Sequence, residues 1–208
     1  MWSIPKVDMN ELSVVGVEAL LRWKEPSGSQ ISPDVFIPLA EKLGLTIRMG
    51  AWVYRQAVID LSELHKSGNT ELHMSVNLSV AQLQHGDVLA MLKTGLDESG
   101  VNPRFIDLEV TESLAANDLH TTLALLHEIK AMGFTLSLDD FGTSFSSLNH
   151  LQKIPLDNLK LDKSLVEATS TERGKGIVEM IVQLAERLQL NVVAEGVENS
   201  VRSNFYNR

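Results

Sequence analysis

The chain has 208 residues, 44% of them hydrophobic and 22% charged, which supplies one full-sized core and rules out a disordered chain. A formal net charge of −9 argues against a non-specific polyanion binder such as a duplex nucleic acid protein, so a phosphate-bearing ligand needs cations at its site. Cysteine is absent, which excludes disulfides and thiolate metal sites, leaves oxygen and imidazole as metal ligands and is compatible with a reducing cytoplasm.

The lead-in, Met1-Trp-Ser-Ile-Pro-Lys6, lacks the basic region and long apolar run of a signal peptide. No later run approaches the ~18 uncharged apolar residues of a membrane span, so a soluble, cytoplasmic protein with no membrane partner is expected. After Pro5 and Asp8, residues 14–23 read as a strand in which Glu18 and Arg22, an even number of positions apart, share a face. Residues 27–30 form a turn. Ser32-Pro33-Asp34 then gives an N-cap and a proline at the first helical position, with Val35, Phe36, Leu39, Ala40 and Leu43 at helical spacing up to Gly44. A second helix is predicted over 49–66, ending at Gly68.

From there apolar strand-like runs, 72–78, 106–110, 134–138, 156–161 and 190–194, alternate with amphipathic helices over 80–99, 119–132, 144–151 and 171–188. Gly133 suits the C-terminal cap of the helix before it. Such alternation implies an α/β fold of parallel strands joined by crossover helices, and with no linker, low-complexity segment or repeat the simplest reading is one domain, 1–208.

The strand 134–138 ends in Asp139 and Asp140, then Phe141-Gly142. Strand alternation sends the two acids to opposite faces, and neighbouring carboxylates at the mouth of an apolar strand need a cation, a proton or several donors. A metal site and a simple turn, with Asp140 and Gly142 opening it, are equally good readings of this stretch alone. Asp140-Phe-Gly142 also spells the magnesium-binding triplet of protein kinases, but neither a glycine-rich phosphate loop nor a His-Arg-Asp catalytic loop precedes it.

Each predicted strand carries a polar residue at or near its C-terminal end: Glu18, Asn77, Glu109, Asp139 with Asp140, Lys160 and Glu195. In a (β/α) barrel those ends converge on the face that holds the active site. Taken singly, each acid is more often an ion-paired surface group, Asn77 a cap, and Lys160 a partner for Asp162. Together they supply the hard oxygen ligands that suit Mg2+ or Mn2+, with Asp140 available to a second ion, Lys160 for a nucleophilic water or phosphoryl charge, and Arg22 for a non-bridging oxygen. Two such ions clamp an in-line phosphoryl displacement, the chemistry of a phosphodiesterase.

The segments Val17-Glu-Ala-Leu-Leu-Arg-Trp23, Val76-Asn-Leu-Ser79, Glu109-Val-Thr-Glu-Ser113, Asp139-Asp-Phe-Gly-Thr143, Leu159-Lys-Leu-Asp162 and Val193-Ala-Glu-Gly-Val-Glu198 together resemble the EAL domain of bacterial cyclic di-GMP signalling. The resemblance runs in order from about residue 5 to 198. It implies a TIM-barrel-like fold whose first strand runs against the others, and hydrolysis of cyclic di-GMP to linear pGpG with magnesium or manganese. Carried over motif by motif, it makes Glu18, Asn77, Glu109 and Asp139 principal metal ligands and Asp140 the second-metal ligand. Lys160 then stands near the catalytic water, Glu195 completes the metal and water network, Glu112 holds the loop after the paired aspartates, and Arg22 and Leu20 contact substrate.

The sequence departs from that pattern at both ends. Ile4 stands before Pro5 where the family has glutamine, which implies a shortened first strand, and nothing before Arg208 corresponds to the last barrel strand, residues 199–208 forming an atypical polar tail. A barrel of this kind needs about 250 residues, so an incomplete barrel is expected, its open edge covered by a homodimer or else left partly open in a marginally stable fold. Ser144 and Phe145 replace the usual glycine and tyrosine of the loop, with a modest effect on its mobility. The competing expectations are a non-catalytic module that binds cyclic di-GMP or a protein partner, and an inactive fragment.

Overall fold

The computed structural model describes residues 2–111, 119–142 and 151–197. Its principal sheet has seven strands: β1 (Trp2–Val7), β2 (Val14–Leu20), β5 (His73–Asn77), β6 (Ile106–Thr111), β7 (Thr135–Phe141), β8 (Asn158–Leu161) and β9 (Asn191–Ala194), in that spatial order. β1 runs antiparallel to β2, and every other neighbouring pair is parallel. A short antiparallel ribbon, β3 (Trp23–Lys24) with β4 (Gln30–Ile31), follows β2. The predicted strand over 14–23 therefore divides after Leu20.

The helices are α1 (Pro33–Lys42), α2 (Thr46–Lys66), α3 (Val80–His85), α4 (Val88–Ser99), α5 (Leu119–Ala131), α6 (Lys163–Ala168) and α7 (Glu172–Arg187) among the described residues. The single helix expected over 80–99 is broken at Gly86 and Asp87. Ser79 closes a capping box with Gln82 at the start of α3, and the Asp87 side chain accepts from the Ala90 amide to start α4 afresh. α6 is a helix that the apolar pattern does not announce, six residues opened by the Asp162 side chain accepting from Ser164 N. The helix expected over 144–151 falls almost wholly outside the described residues.

β1 corresponds to the lead-in. Its six residues pair with β2 along their length, Pro5 opposite Val17, and the missing proline N–H is tolerable because β1 is an edge strand. Among the described residues β9 is the other edge, so the sheet is open.

Alternation along the strands divides the residues cleanly. Met74 and Val76, Ile106 and Leu108, Leu136 and Leu138, Leu159 and Leu161 join the apolar core with Tyr54, Ala57, Val58 and Leu61 of α2, Leu92 of α4, Leu126 and Ile129 of α5, and Val178 and Ile181 of α7. The intervening residues, Ser75 and Asn77, Asp107 and Glu109, Ser137 and Asp139, Asn158 and Lys160, are polar. The strands thus put their apolar side against the helices and their polar side inward, the reverse of a barrel filled by branched aliphatics. The sheet is strongly curled: Lys160 on β8 reaches Glu18 on β2 at 3.7 Å, although these strands are four places apart and would lie about 19 Å apart in a flat sheet.

Candidate active site

Lys160 is the centre of the inward polar face. The side chain is 2% exposed, and its ammonium lies 2.7 Å from Glu109 Oε2, 2.9 Å from Asp139 Oδ1, 2.9 Å from Glu195 Oε1 and 3.7 Å from Glu18 Oε2. Burial pulls its pKa down, but Glu109, Glu18 and Asp139 outweigh burial and hold it above the ordinary lysine range. The carboxylates respond in turn. Burial, followed by the charge on Glu109, pushes Glu18 from 4.5 up to about 7, with Lys160 opposing the shift. Asn77 Nδ2 donates to Glu18 Oε1 at 3.1 Å, which ties the end of β5 to the end of β2.

The strand ends bring these groups together in the manner the sequence anticipates. Glu109 is buried on β6, Asp139 is buried on β7, and Glu195 follows β9, its amide donating to Leu161 O at 3.1 Å. Asp140 departs from strict alternation. The pairing of β7 with β8 places Leu138 opposite Leu159 but Phe141 opposite Leu161, so β7 holds one extra residue there. Asp140 takes the left-handed conformation, φ 57°, and its amide donates to Asp139 Oδ1 at 3.0 Å. The bulge leaves Phe141 buried in the core and keeps both acids at the strand mouth, where burial, then Asp139 and Glu195, raise the pKa of Asp140. The expectation that the two carboxylates face opposite sides gives way to this extra residue.

The substrate-side expectations are less converged. Leu20 is the last residue of β2 and half-buried, while Arg22 lies beyond the strand and donates from Nη1 to Leu21 O at 2.9 Å. Strand periodicity therefore does not carry from Glu18 to Arg22. Glu112 lies outside the described residues, as do Ser144 and Phe145.

Sequence reasoning missed a layer directly below the acids. Lys6 Nζ lies 2.7 Å from Glu109 Oε1 and 3.2 Å from Asp107 Oδ2 and also contacts Ser75 Oγ. Asp107 accepts from Ser75 Oγ at 3.0 Å and Ser137 Oγ at 2.6 Å; Asn158 Nδ2 donates to Ser137 Oγ at 2.9 Å, and Asn191 Nδ2 donates to Asn158 Oδ1 at 3.0 Å. The signal was the period of two: Ser75, Asp107, Ser137 and Asn158 each stand two residues before Asn77, Glu109, Asp139 and Lys160.

The donor set suits a hard divalent cation, being carboxylates and an amide, and the Lys160 ammonium marks the point where they converge as cationic. Among the described residues no three acids or histidines are yet grouped as an ion would hold them. The carboxylate oxygens are gathered on Lys160 instead, so a metal ion would share or take over its ligands. Glu18, Asn77, Glu109 and Asp139 fit that role, with Asp140 beside them.

Residues 2–205 match the sequence model of the EAL domain. A Pseudomonas aeruginosa protein named bifunctional diguanylate cyclase/cyclic di-GMP phosphodiesterase MucR is 38% identical over 205 residues, 98% of this chain and 30% of the relative. The cyclic di-GMP phosphodiesterase NbdA of the same organism is 38% identical over 183 residues, 88% of this chain and 23% of the relative. The chain thus spans less than a third of either protein. Among solved structures, the PaMucR phosphodiesterase in complex with c-di-GMP superposes with a TM-score of 0.91 at 37% identity, covering 98% of this chain and 83% of that one. The EAL domain of FimX from P. aeruginosa, at 21% identity and a TM-score of 0.86 over 98% of this chain and 81% of its own, shares the fold.

Proposed function

Since the chain belongs to the EAL domain family and has its TIM-barrel-like α/β fold, we propose that it is a metal-dependent phosphodiesterase hydrolysing cyclic di-GMP to linear pGpG in bacterial second-messenger signalling. The observation that carries this reading is the convergence of Glu18, Glu109, Asp139 and Glu195 on the buried Lys160 ammonium.

In this reading Glu18, Asn77, Glu109 and Asp139 hold the first Mg2+ or Mn2+, and Asp140 takes part in a second site. Bound metal supplies Lewis-acid polarisation of the phosphoryl group and a water acidic enough to attack. Lys160, whose neighbouring acids favour its protonated form, would act as a donor that orients the nucleophilic water and counters charge on the phosphoryl oxygens. Glu195, a third exposed and paired with Lys160, would steer that water in this reading. In this reading Arg22 turns from its own backbone to a non-bridging phosphate oxygen and Leu20 packs against the ligand, while the role of Glu112, outside the described residues, rests on the EAL resemblance alone.

In this reading the domain works in the cytoplasm. No helix among the described residues is long and apolar enough to cross a membrane. In this reading a second copy of the chain covers the open edge of the described sheet. The test is incubation of the purified chain with cyclic di-GMP and Mn2+, followed by chromatography for pGpG. Product is expected, and Glu18→Ala and Asp139→Asn should each abolish it. Micromolar ligand binding without product would instead make the chain a binding module.

A further inference from the structure

Glu109 is fully buried and gripped from two sides, its Oε2 by Lys160 and its Oε1 by Lys6. The two lysines differ in position. Lys160 sits at the mouth, among the groups that would bind a cation, whereas Lys6 enters from the edge strand β1 and lies below, between Glu109 and Asp107. Five carboxylates, Glu18, Asp107, Glu109, Asp139 and Glu195, face these two ammonium groups. An acid cluster with that excess of negative charge attracts a divalent cation, and each fixed positive charge within it reduces the attraction. Among the mouth-side groups Lys6 contacts Glu109, so it acts on a bound ion both by its own charge and by neutralising that carboxylate.

We propose that Lys6 is a built-in counter-ion that limits how tightly the acid cluster holds a divalent cation, stabilising the metal-free fold at the expense of metal affinity. The inference rests on the metal-binding reading above and concerns its strength. Lys6 is a positioning residue here. Removing it leaves neither acid bare, because Asp107 keeps the Ser75 and Ser137 hydroxyls and Glu109 keeps Lys160. The released negative charge is then available to the metal.

The test compares the wild-type chain with Lys6→Met by titration calorimetry with Mn2+ alone and by thermal melts with and without Mn2+. The variant should bind Mn2+ roughly tenfold more tightly, melt several degrees lower without metal, and gain more than wild type when metal is added. A purely structural lysine would lower the melt without tightening binding.

The absence of cysteine allows a charge-specific control: Lys6→Cys carries the sole thiol and can be alkylated in denaturant with 2-bromoethylamine, restoring an ammonium, or with iodoacetamide, leaving a neutral amide. Wild-type affinity should return with the first reagent and not the second. If Lys6→Met does not fold, Lys6→Gln, which retains a donor for Ser75 and Glu109, serves the same comparison. Mn2+ affinity unchanged or weaker in a folded variant, beside measurable wild-type binding, overturns the role of Lys6 alone. No Mn2+ binding by either protein overturns the metal-binding reading and the inference with it.

Discussion

Lys160 is nearly inaccessible to water yet bonded to three carboxylates and near a fourth, so its substitution tests electrostatics more than packing. Lys160→Met should abolish pGpG formation and, at neutral pH, lower metal-free stability by about 3 kcal/mol or more, because it strips buried acids of their shared cation. Denaturant titration in EDTA measures the loss. Glu18 adds a pH dependence to the wild-type chain. Folded, it keeps its proton up to about pH 7, whereas an unfolded chain releases it near 4.5. The folded state therefore binds more protons in that window, and metal-free stability should fall as pH rises through it. Melts in EDTA across this range should show the decline, and a flat or rising profile would contradict the assignment. Every one of Glu18, Asn77, Glu109, Asp139, Lys160 and Glu195 could be named from its place at a strand end. Lys6 could not, because a lysine beside a proline in a lead-in offers no periodic pattern to place it inside.

The β7 bulge is the element on which the paired aspartates depend. Asp140 occupies a left-handed conformation that asparagine tolerates and alanine does not. Asp140→Ala should therefore be less stable than Asp140→Asn by about 1 kcal/mol, measured by chemical denaturation, although both remove the same charge. Helix packing gives a second test at this scale. Gly95 on α4 lies against Tyr54 on α2, where an added Cβ would come within 2.5 Å of the ring, so Gly95→Ala should cost about 1–3 kcal/mol with the site chemistry unchanged. The strong alternation of strands and helices from β5 onward was readable because each run is long enough to show its period. The split of α3 from α4 turns on two local caps, the bulge on one residue in the register of β7 with β8, and α6 on only six residues; none of these produces a hydrophobic period.

At the scale of the molecule, the parallel sheet and its curl were legible in the order of the segments, but which side faces inward was not, since both faces of a buried strand are shielded from water. The described sheet leaves β1 and β9 as edges, and coverage of those edges by a second copy predicts a melting temperature that rises with protein concentration together with a dimer in sedimentation equilibrium. A concentration-independent melt of a sedimenting monomer would count against that arrangement. The polar interior has a further consequence, for how such a sequence ages. Its outer strand faces and helices carry the cohesion, while the buried Asp107, Glu109, Asp139 and Lys160, with Lys6 beside them, occupy positions that well-packed aliphatic residues, introduced together, would fill with equal or greater stability. Only replacing them together gains stability, because the loss of any one strands its buried partners, so stepwise change toward an apolar interior is blocked.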